Sequence, residues 1–167
     1  MYTDEEAAGL AAAQRMFDAD KASAGLGIEL VELAPGRAVA RMRVTASMLN
    51  GHAIGHGGYV FLLADSAFAL ACNSHGPVTV AAGADVSFLA PVAEGDVLTA
   101  RAVERGVFGR SGIYDVTVTR GGMEGAADTG GMEGTGDTDG GSGSGSGSGS
   151  EQIVAEFRGR SRVVTGR

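Results

Sequence analysis

The chain has 167 residues, enough for one domain with a sizeable core, and its 44% hydrophobic and 20% charged residues are ordinary for a globular protein. The net charge is −7, and the charges are unevenly distributed: residues 121–150 contain five acidic and no basic residues, and the remainder has 13 basic against 15 acidic ones. This balance excludes the basic stripe of a nucleic-acid-binding protein. A single cysteine excludes an intrachain disulfide, and the acidic N-terminus is unlike a signal peptide. The longest apolar run, residues 59–72, has only 14 residues and is too short to span a membrane. We therefore expect a soluble cytoplasmic protein.

The N-terminal third predicts one helix followed by a β-hairpin. Thr3 can cap a helix over DEEAAGLAAAQRMFDADKASA, and Gly25 and Gly27 end it. Two strand-like runs then meet at a Pro35–Gly36 turn. The second run has one covered face at every second position: Ala38, Ala40, Met42 and Val44.

The centre of the chain is a Gly- and His-rich loop, TASMLNGHAIGHGG, followed by a helix predicted over 59–75. This helix is apolar nearly all round, which is typical of a helix surrounded by other structure. Strands are predicted at 78–90, 96–105, 111–120 and 152–164; in the last, Ile153, Ala155, Phe157, Ser161 and Val163 share a face. One buried helix followed by several strands predicts an α+β fold with an antiparallel sheet curled around that helix.

Residues 121–150 differ in composition from the rest. Thirteen of these thirty residues are Gly, and the stretch contains the near-copies GGMEGAADT and GGMEGTGDT before a GSGSGSGSGS run. Such a sequence cannot bury enough apolar surface to offset its ordering entropy. We therefore predict a single domain over 1–167 with a disordered insertion at 121–150, between the last two strands.

Asp65 is the one full charge in the most hydrophobic segment. The positions three and four residues away on the helix are Phe61, Leu62, Phe68 and Ala69, so no local ion pair is available. An unpaired buried carboxylate is costly. Asp65 therefore has either a tertiary or intersubunit partner or a chemical role.

The loop before the helix favours the chemical role. Glycines around His56 allow close approach of a ligand, and a helix N-terminus offers free N–H groups of the kind that stabilise an oxyanion. Asp65 lies about 10 Å further along the axis, so one carbonyl cannot meet both groups of the same helix. We predict a two-fold dimer with shared sites, each combining Asp65 of one chain with the Gly57 turn of the other.

Residues 48–76 closely resemble the PaaI-type acyl-CoA thioesterases of phenylacetic acid degradation, which have the hot-dog fold. The family pattern is a Leu-Asn-Gly loop, His-Gly-Gly, a Leu-Ala-Asp-Ser/Thr-Ala-Phe run and Ala-Cys-Asn-Ser; here these are LNGHAIGHGG, LADSAF and ACNS. Weaker similarity in TASMLN, FLAPVAEGD, SGIYDVTV and EFRGRSR extends it over roughly 20–165, apart from the insertion. The resemblance implies hydrolysis of phenylacetyl-CoA or ring-hydroxylated aryl-acyl-CoA without a cofactor, by dimers usually paired into homotetramers.

The resemblance also implies roles for single residues. Asp65 matches the catalytic carboxylate, as nucleophile or as general base on water, and the N–H of Gly57 polarises the thioester carbonyl. Asn50 and His56 match positions that order the loop and the water or substrate. Substrate-binding roles are expected for Gly58, Tyr59, Ser66 and Arg110. Ala90 replaces a basic residue that could meet CoA phosphates, for which Arg110 and the last-strand arginines (Arg158, Arg160, Arg162) are alternatives.

Other interpretations of the same residues differ in class. His52 and His56 have helical spacing for a metal site, but the glycines around them argue against a helix, so we expect no metal. Cys72 lacks a nearby base and is expected to be a buried core thiol. The alternatives to a phenylacetyl-CoA thioesterase are a thioesterase for medium-chain acyl-CoA and a non-catalytic acyl-CoA-binding hot-dog module.

Overall fold

The computed structural model describes residues 1–121 and 150–164, so nearly all of the insertion predicted at 121–150 lies outside the described residues. Two helices open the chain, α1 (Asp4–Asp18) and α2 (Lys21–Gly25), where the sequence predicts one. Thr3 caps α1 as predicted, with Glu6 completing a capping box. The prediction of a single helix is wrong because the carboxylate of Asp20 accepts the N–H of Ser23 at 3.0 Å and caps a second helix.

Six antiparallel strands form one sheet in the order β1-β2-β4-β5-β6-β3. The strands are β1 (Glu29–Ala34), β2 (Arg37–Arg43), β3 (Thr79–Phe88), β4 (Val97–Phe108), β5 (Ser111–Arg120) and β6 (Gln152–Val163). The covered face predicted for the second hairpin strand is confirmed, since Ala38, Ala40 and Met42 are at most 1% exposed. The edge strands are β1 and β3.

The long apolar helix, α3 (Gly57–Asn73), lies against the inner face of the sheet. It begins two residues earlier than the sequence predicts because His56 caps it. The ring of Phe68 packs against Tyr114 and Phe157 of two different strands, with ring centroids 5.5 and 5.8 Å apart. The backbone of α1 approaches the other end so closely that a Cβ on Gly9 would lie 2.3 Å from the carbonyl oxygen of Ser74.

The face predicted for the last strand is correct at Ala155, Phe157 and Ser161 but wrong at Ile153, which is 46% exposed. The register between β5 and β6 shifts at this point, so that Val154 occupies an extra position and is buried in place of Ile153. A β-bulge of this kind exchanges the two faces of a strand, and a pattern of period two cannot anticipate it.

One face of α3 remains open, next to the β3 edge of the sheet. Its residues are only partly buried: Phe61, Leu62, Asp65 and Ala69. Of the helices in the described ranges, none is both long and apolar enough to cross a bilayer.

Candidate active site

The loop before α3 is ordered around Asn50. Its side-chain oxygen accepts the N–H of His52 at 2.8 Å, and its backbone N–H donates to the carbonyl of Ile54 at 2.8 Å. Two neighbouring segments hold the end of the loop, because Gly55 donates to the carbonyl of Val92 and His56 to that of Met48. Asn50 therefore forms an Asx-type turn within this loop.

His56 caps α3 with its ring. Nδ1 accepts the N–H of Gly58 at 3.0 Å, so the ring satisfies one of the free N–H groups at the start of the helix. The ring of Tyr59, one turn further, packs edge-on against it at 6.3 Å between centroids. Because the N–H of Gly58 is already bonded, Gly58 cannot offer it to a substrate in this conformation.

Gly57 has the free donor. Its N–H makes no hydrogen bond within residues 1–121 and 150–164, and it is the first N–H of the helix, where the helix dipole is positive. Gly57 lines a cavity of about 400 Å³. A Cβ here would lie 2.9 Å from the ring of Phe88, so glycine leaves room for an aromatic wall directly beside the donor.

The cavity is mainly apolar. The loop side contributes Asn50, Ile54, Gly55, Gly57 and Val60, and the opposite wall contributes Phe88, Leu89, Ala90, Pro91, Val92 and Val154. The amide nitrogen of Asn50 makes no hydrogen bond with the described residues, which leaves a second donor at this opening. An apolar cavity whose lining includes two unbonded donors, the N–H of Gly57 and the side-chain amide of Asn50, suits an acyl group whose carbonyl must be polarised.

Asp65 does not line this cavity. It lies eight residues beyond Gly57 on the same helix, about 12 Å along the axis at 1.5 Å per residue. Within the described residues its carboxylate forms neither a hydrogen bond nor an ion pair, so the local pairing that the sequence excludes is not replaced by another strand or helix of this chain.

Burial raises the pKa of the Asp65 carboxyl, and the nearby charge of Asp20 raises this pKa further. Burial also raises the pKa of Asp20, but hydrogen bonds from the hydroxyl and N–H of Ser23 and from the N–H of Ala22 leave that pKa lowered overall. Asp20 is therefore charged wherever Asp65 titrates. A carboxylate that is harder to ionise is a stronger base.

Comparison with known proteins identifies the fold and the family. The model of the thioesterase superfamily matches residues 52–127. Over 106 residues, 64% of this chain and 76% of the other, the chain is 45% identical to the acyl-coenzyme A thioesterase PaaI of Escherichia coli. The chain belongs to the thioesterase superfamily.

Solved structures agree with this assignment. The E. coli PaaI protein from the phenylacetic acid degradation operon superposes with a TM-score of 0.76 at 34% identity, covering 98% of both chains. A variant of the phenylacetic acid degradation protein PaaI from Thermus thermophilus gives 0.67 at 32% identity, covering 87% of this chain and all of that one. The predicted hot-dog fold and the predicted resemblance are both confirmed.

Ser66 has a structural use in this thioesterase. Its hydroxyl donates to the carbonyl of Leu62 at 2.9 Å and lies 2.9 Å from the hydroxyl of Ser23, which in turn donates to Asp20. The side chain is buried and joins α2 to α3 directly beside Asp65. The residue is 8% exposed, and its contact with substrate stays a prediction.

Arg110 lies far from the cavity of its own thioesterase chain. Its carbonyl accepts the N–H of Val163 at the end of β6, whereas Val154 lines the cavity at the start of that strand. Nine residues of strand separate them, about 30 Å. The alternative arginines of β6 point to the outer face, where Arg158 pairs with Asp115.

Cys72 and the histidines lie within the described residues of the thioesterase. Cys72 is 3% exposed, and burial raises the pKa of its thiol to about 12, so the predicted core thiol is confirmed. Within the described ranges no three His, Cys, Asp or Glu side chains are grouped as metal ligands.

Sequence reasoning missed the far wall of the cavity and the residues that hold it. Phe88 is the last residue of β3 and Pro91 and Val92 follow it, and none of the three carries catalytic chemistry of its own. The signal available was the FLAPVAEGD segment, in which a proline directly after an apolar strand marks a rigid turn.

Proposed function

We propose that the protein is an acyl-CoA thioesterase of the PaaI type. Its substrates are phenylacetyl-CoA or ring-hydroxylated aryl-acyl-CoA thioesters, which it hydrolyses to the free acid and CoA in phenylacetate degradation. The observation that carries the proposal is the free N–H of Gly57 at an apolar cavity, combined with an unpaired carboxylate, Asp65, on an open helix face. Identity of 45% to E. coli PaaI supports the substrate class.

In the proposed reaction the thioester carbonyl oxygen accepts the N–H of Gly57. Negative charge that develops on this oxygen is stabilised by that donor and by the helix dipole, with the Asn50 amide as a second donor. Asp65 either takes a proton from the attacking water or attacks the carbonyl carbon itself. The C–S bond then breaks, CoA leaves as a thiolate that is protonated, and water supplies the second oxygen of the acid.

The active sites are shared between two copies in this proposal. One chain cannot bring Gly57 and Asp65 to the same carbonyl, so Asp65 of the partner subunit completes each site. The surfaces left uncovered fit a second copy: the open face of α3 contains Phe61 and Leu62, and the adjacent edge strand β3 ends at the exposed Phe88. Such dimers would pair into homotetramers, which light scattering coupled to size exclusion measures directly.

A thiol-release assay tests the activity. We expect turnover of phenylacetyl-CoA and its hydroxylated relatives to exceed that of medium-chain acyl-CoA. Faster turnover of medium chains would move the acyl preference to the alternative substrate. Binding of all these thioesters by calorimetry without any thiol release would instead identify a non-catalytic acyl-CoA-binding module.

Asp65→Asn tests the carboxylate while keeping its shape. General acid–base groups contribute about 10²–10⁴-fold, and we expect a loss of kcat in this range. Because the pKa of Asp65 is raised by folding, its ionised form reduces stability at neutral pH, so the variant should melt at or above the wild-type temperature. That advantage should vanish below about pH 3.9, where the aspartate is protonated in both states. Full turnover by the variant would make Asp65 structural.

Mixed dimers test the sharing. An Asp65→Ala chain and a Gly57→Val chain are each expected to be inactive. In an equimolar mixture of refolded chains, about half of the dimers are mixed and each has one intact site, so activity should return to about one quarter of wild type. No recovery despite mixed dimers in native mass spectrometry would show that each chain forms its own site.

We also propose that residues 121–150 are an insertion into a single domain. The strands on either side are paired up to Arg120 and Gln152, so their ends already lie at turn distance. Replacing 122–149 by Asn-Gly leaves a five-residue hairpin loop between Arg120 and Gln152 and should preserve the cooperative unfolding transition and the thioesterase activity. Loss of folding would show that the segment belongs to the core.

A further inference from the structure

Arg120, the last residue of β5, connects three separate segments. Its Nη1 donates to the carbonyl of Pro91 at 2.7 Å and lies 3.2 Å from the carboxylate of Asp96. Its Nε and Nη2 both donate to the side-chain oxygen of Gln152, at 2.9 and 2.6 Å. The planar guanidinium is therefore fixed in orientation by Gln152 and aimed at the segment that carries Pro91.

That segment, residues 89–96, lines the far wall of the cavity with its first four residues, 89–92. Its ends are tied to the sheet, since Leu89 donates to the carbonyl of Val154 and the carbonyl of Asp96 accepts from Val44. Its middle has no such ladder. Side chains hold the middle instead, because Arg120 bonds to the carbonyl of Pro91 and the carboxylate of Asp96 accepts the N–H of Ala93.

The next carbonyl, that of Val92, bonds to the loop before α3 (residues 45–56), which is the catalytic loop of the proposed reaction. It accepts the N–H of Gly55 at 2.7 Å, and a Cβ on Gly55 would lie 2.3 Å from the Val92 side chain, so the two backbones are in close contact. Gly55 is two residues before Gly57. Successive carbonyls thus bond to Arg120 on one side and to the catalytic loop on the other.

We propose that Arg120 is a positioning residue for the Gly57 N–H, acting through Pro91, Val92 and Gly55. The expected effect on kcat rests on the proposed thioesterase function, whereas the expected effect on the Gly55 hydrogen bond does not. If Pro91 loses its cationic donor, the Val92 carbonyl shifts, the bond to Gly55 lengthens and the N–H of Gly57 turns from the thioester oxygen. Misplacement of a catalytic group by about 1 Å costs up to about 100-fold in rate.

The test compares Arg120→Ala with a matched variant, Arg101→Ala. Arg101 lies nearby on β4 and also bonds across the sheet, to Thr119 and Glu151, but has neither a hydrogen bond nor an ion pair with residues 89–96. We expect Arg120→Ala to lower kcat about tenfold or more with a smaller change in KM, and millimolar guanidinium to restore part of it. Arg101→Ala should keep kcat.

A second readout does not depend on turnover. Hydrogen exchange of the Gly55 N–H should be faster in Arg120→Ala than in wild type and Arg101→Ala. Unchanged kcat and unchanged exchange in Arg120→Ala would overturn the inference, even if the variant melts earlier. If wild type releases no thiol from any thioester but exchange is faster, the proposed function fails and the positioning contact stands.

Two milder variants cover the case in which Arg120→Ala does not fold. Arg120→Lys keeps a cation near Pro91 but cannot fork onto Gln152, and Gln152→Ala leaves the arginine without its orienting acceptor. Each should lower kcat by a few-fold and speed exchange at Gly55. Wild-type kcat and exchange in both would overturn the inference.

Discussion

His56 gives the sharpest test of how the helix start is built. In this structure its ring acts as an N-cap acceptor for the N–H of Gly58. Replacing an N-cap acceptor by alanine costs about 1 kcal/mol, within a range of about 0.5–2. For a domain of this size, each kcal/mol lowers Tm by about 2–4 °C. His56→Ala should therefore melt about 2–4 °C below wild type.

His56→Asn is the matched variant, because asparagine is among the best N-caps and can accept the same N–H. Thermal unfolding followed by circular dichroism should give His56→Asn a Tm near that of wild type. Its rate of thiol release should likewise be closer to wild type than that of His56→Ala. A wild-type Tm for His56→Ala, or an equally low Tm for both variants, would refute the capping argument. Recovery of Tm without recovery of turnover would show that the imidazole also takes part in the reaction.

Three further outcomes follow from close contacts and charges. Gly57→Ala should fold normally, because the half-exposed ring of Phe88 can move from the new methyl at 2.9 Å, but steady-state kinetics should show a lower kcat that Phe88→Leu partly restores. Asp20→Asn removes a charge that raises the pKa of Asp65, so the acidic limb of kcat/KM against pH should move to lower pH; an unmoved limb would contradict this. Gly159→Ala places a methyl 2.8 Å from the buried ring of Phe68 on α3, and denaturant titration should show a free energy of unfolding about 1–3 kcal/mol lower than that of wild type.

Local patterns predicted most of the elements because the physics that sets them is local. The strand at 111–120 has the predicted bounds, and α3 was recognisable from an unbroken apolar run after a Gly-rich loop. The errors occur where a side chain acts against the pattern. Asp20 starts a second helix inside one amphipathic stretch, and the bulge at Val154 exchanges the faces of β6.

The sequence by itself determined which pieces of chemistry the protein has: a carboxylate without a local partner, and a glycine turn at the start of a helix. Only the tertiary structure decided how they are used. It placed Phe88 beside the free N–H of Gly57 and Val92 opposite the loop. The physical reason is that a free donor and a cavity wall depend on contacts between residues far apart in the chain, such as Arg120 with Pro91, which no local periodicity encodes.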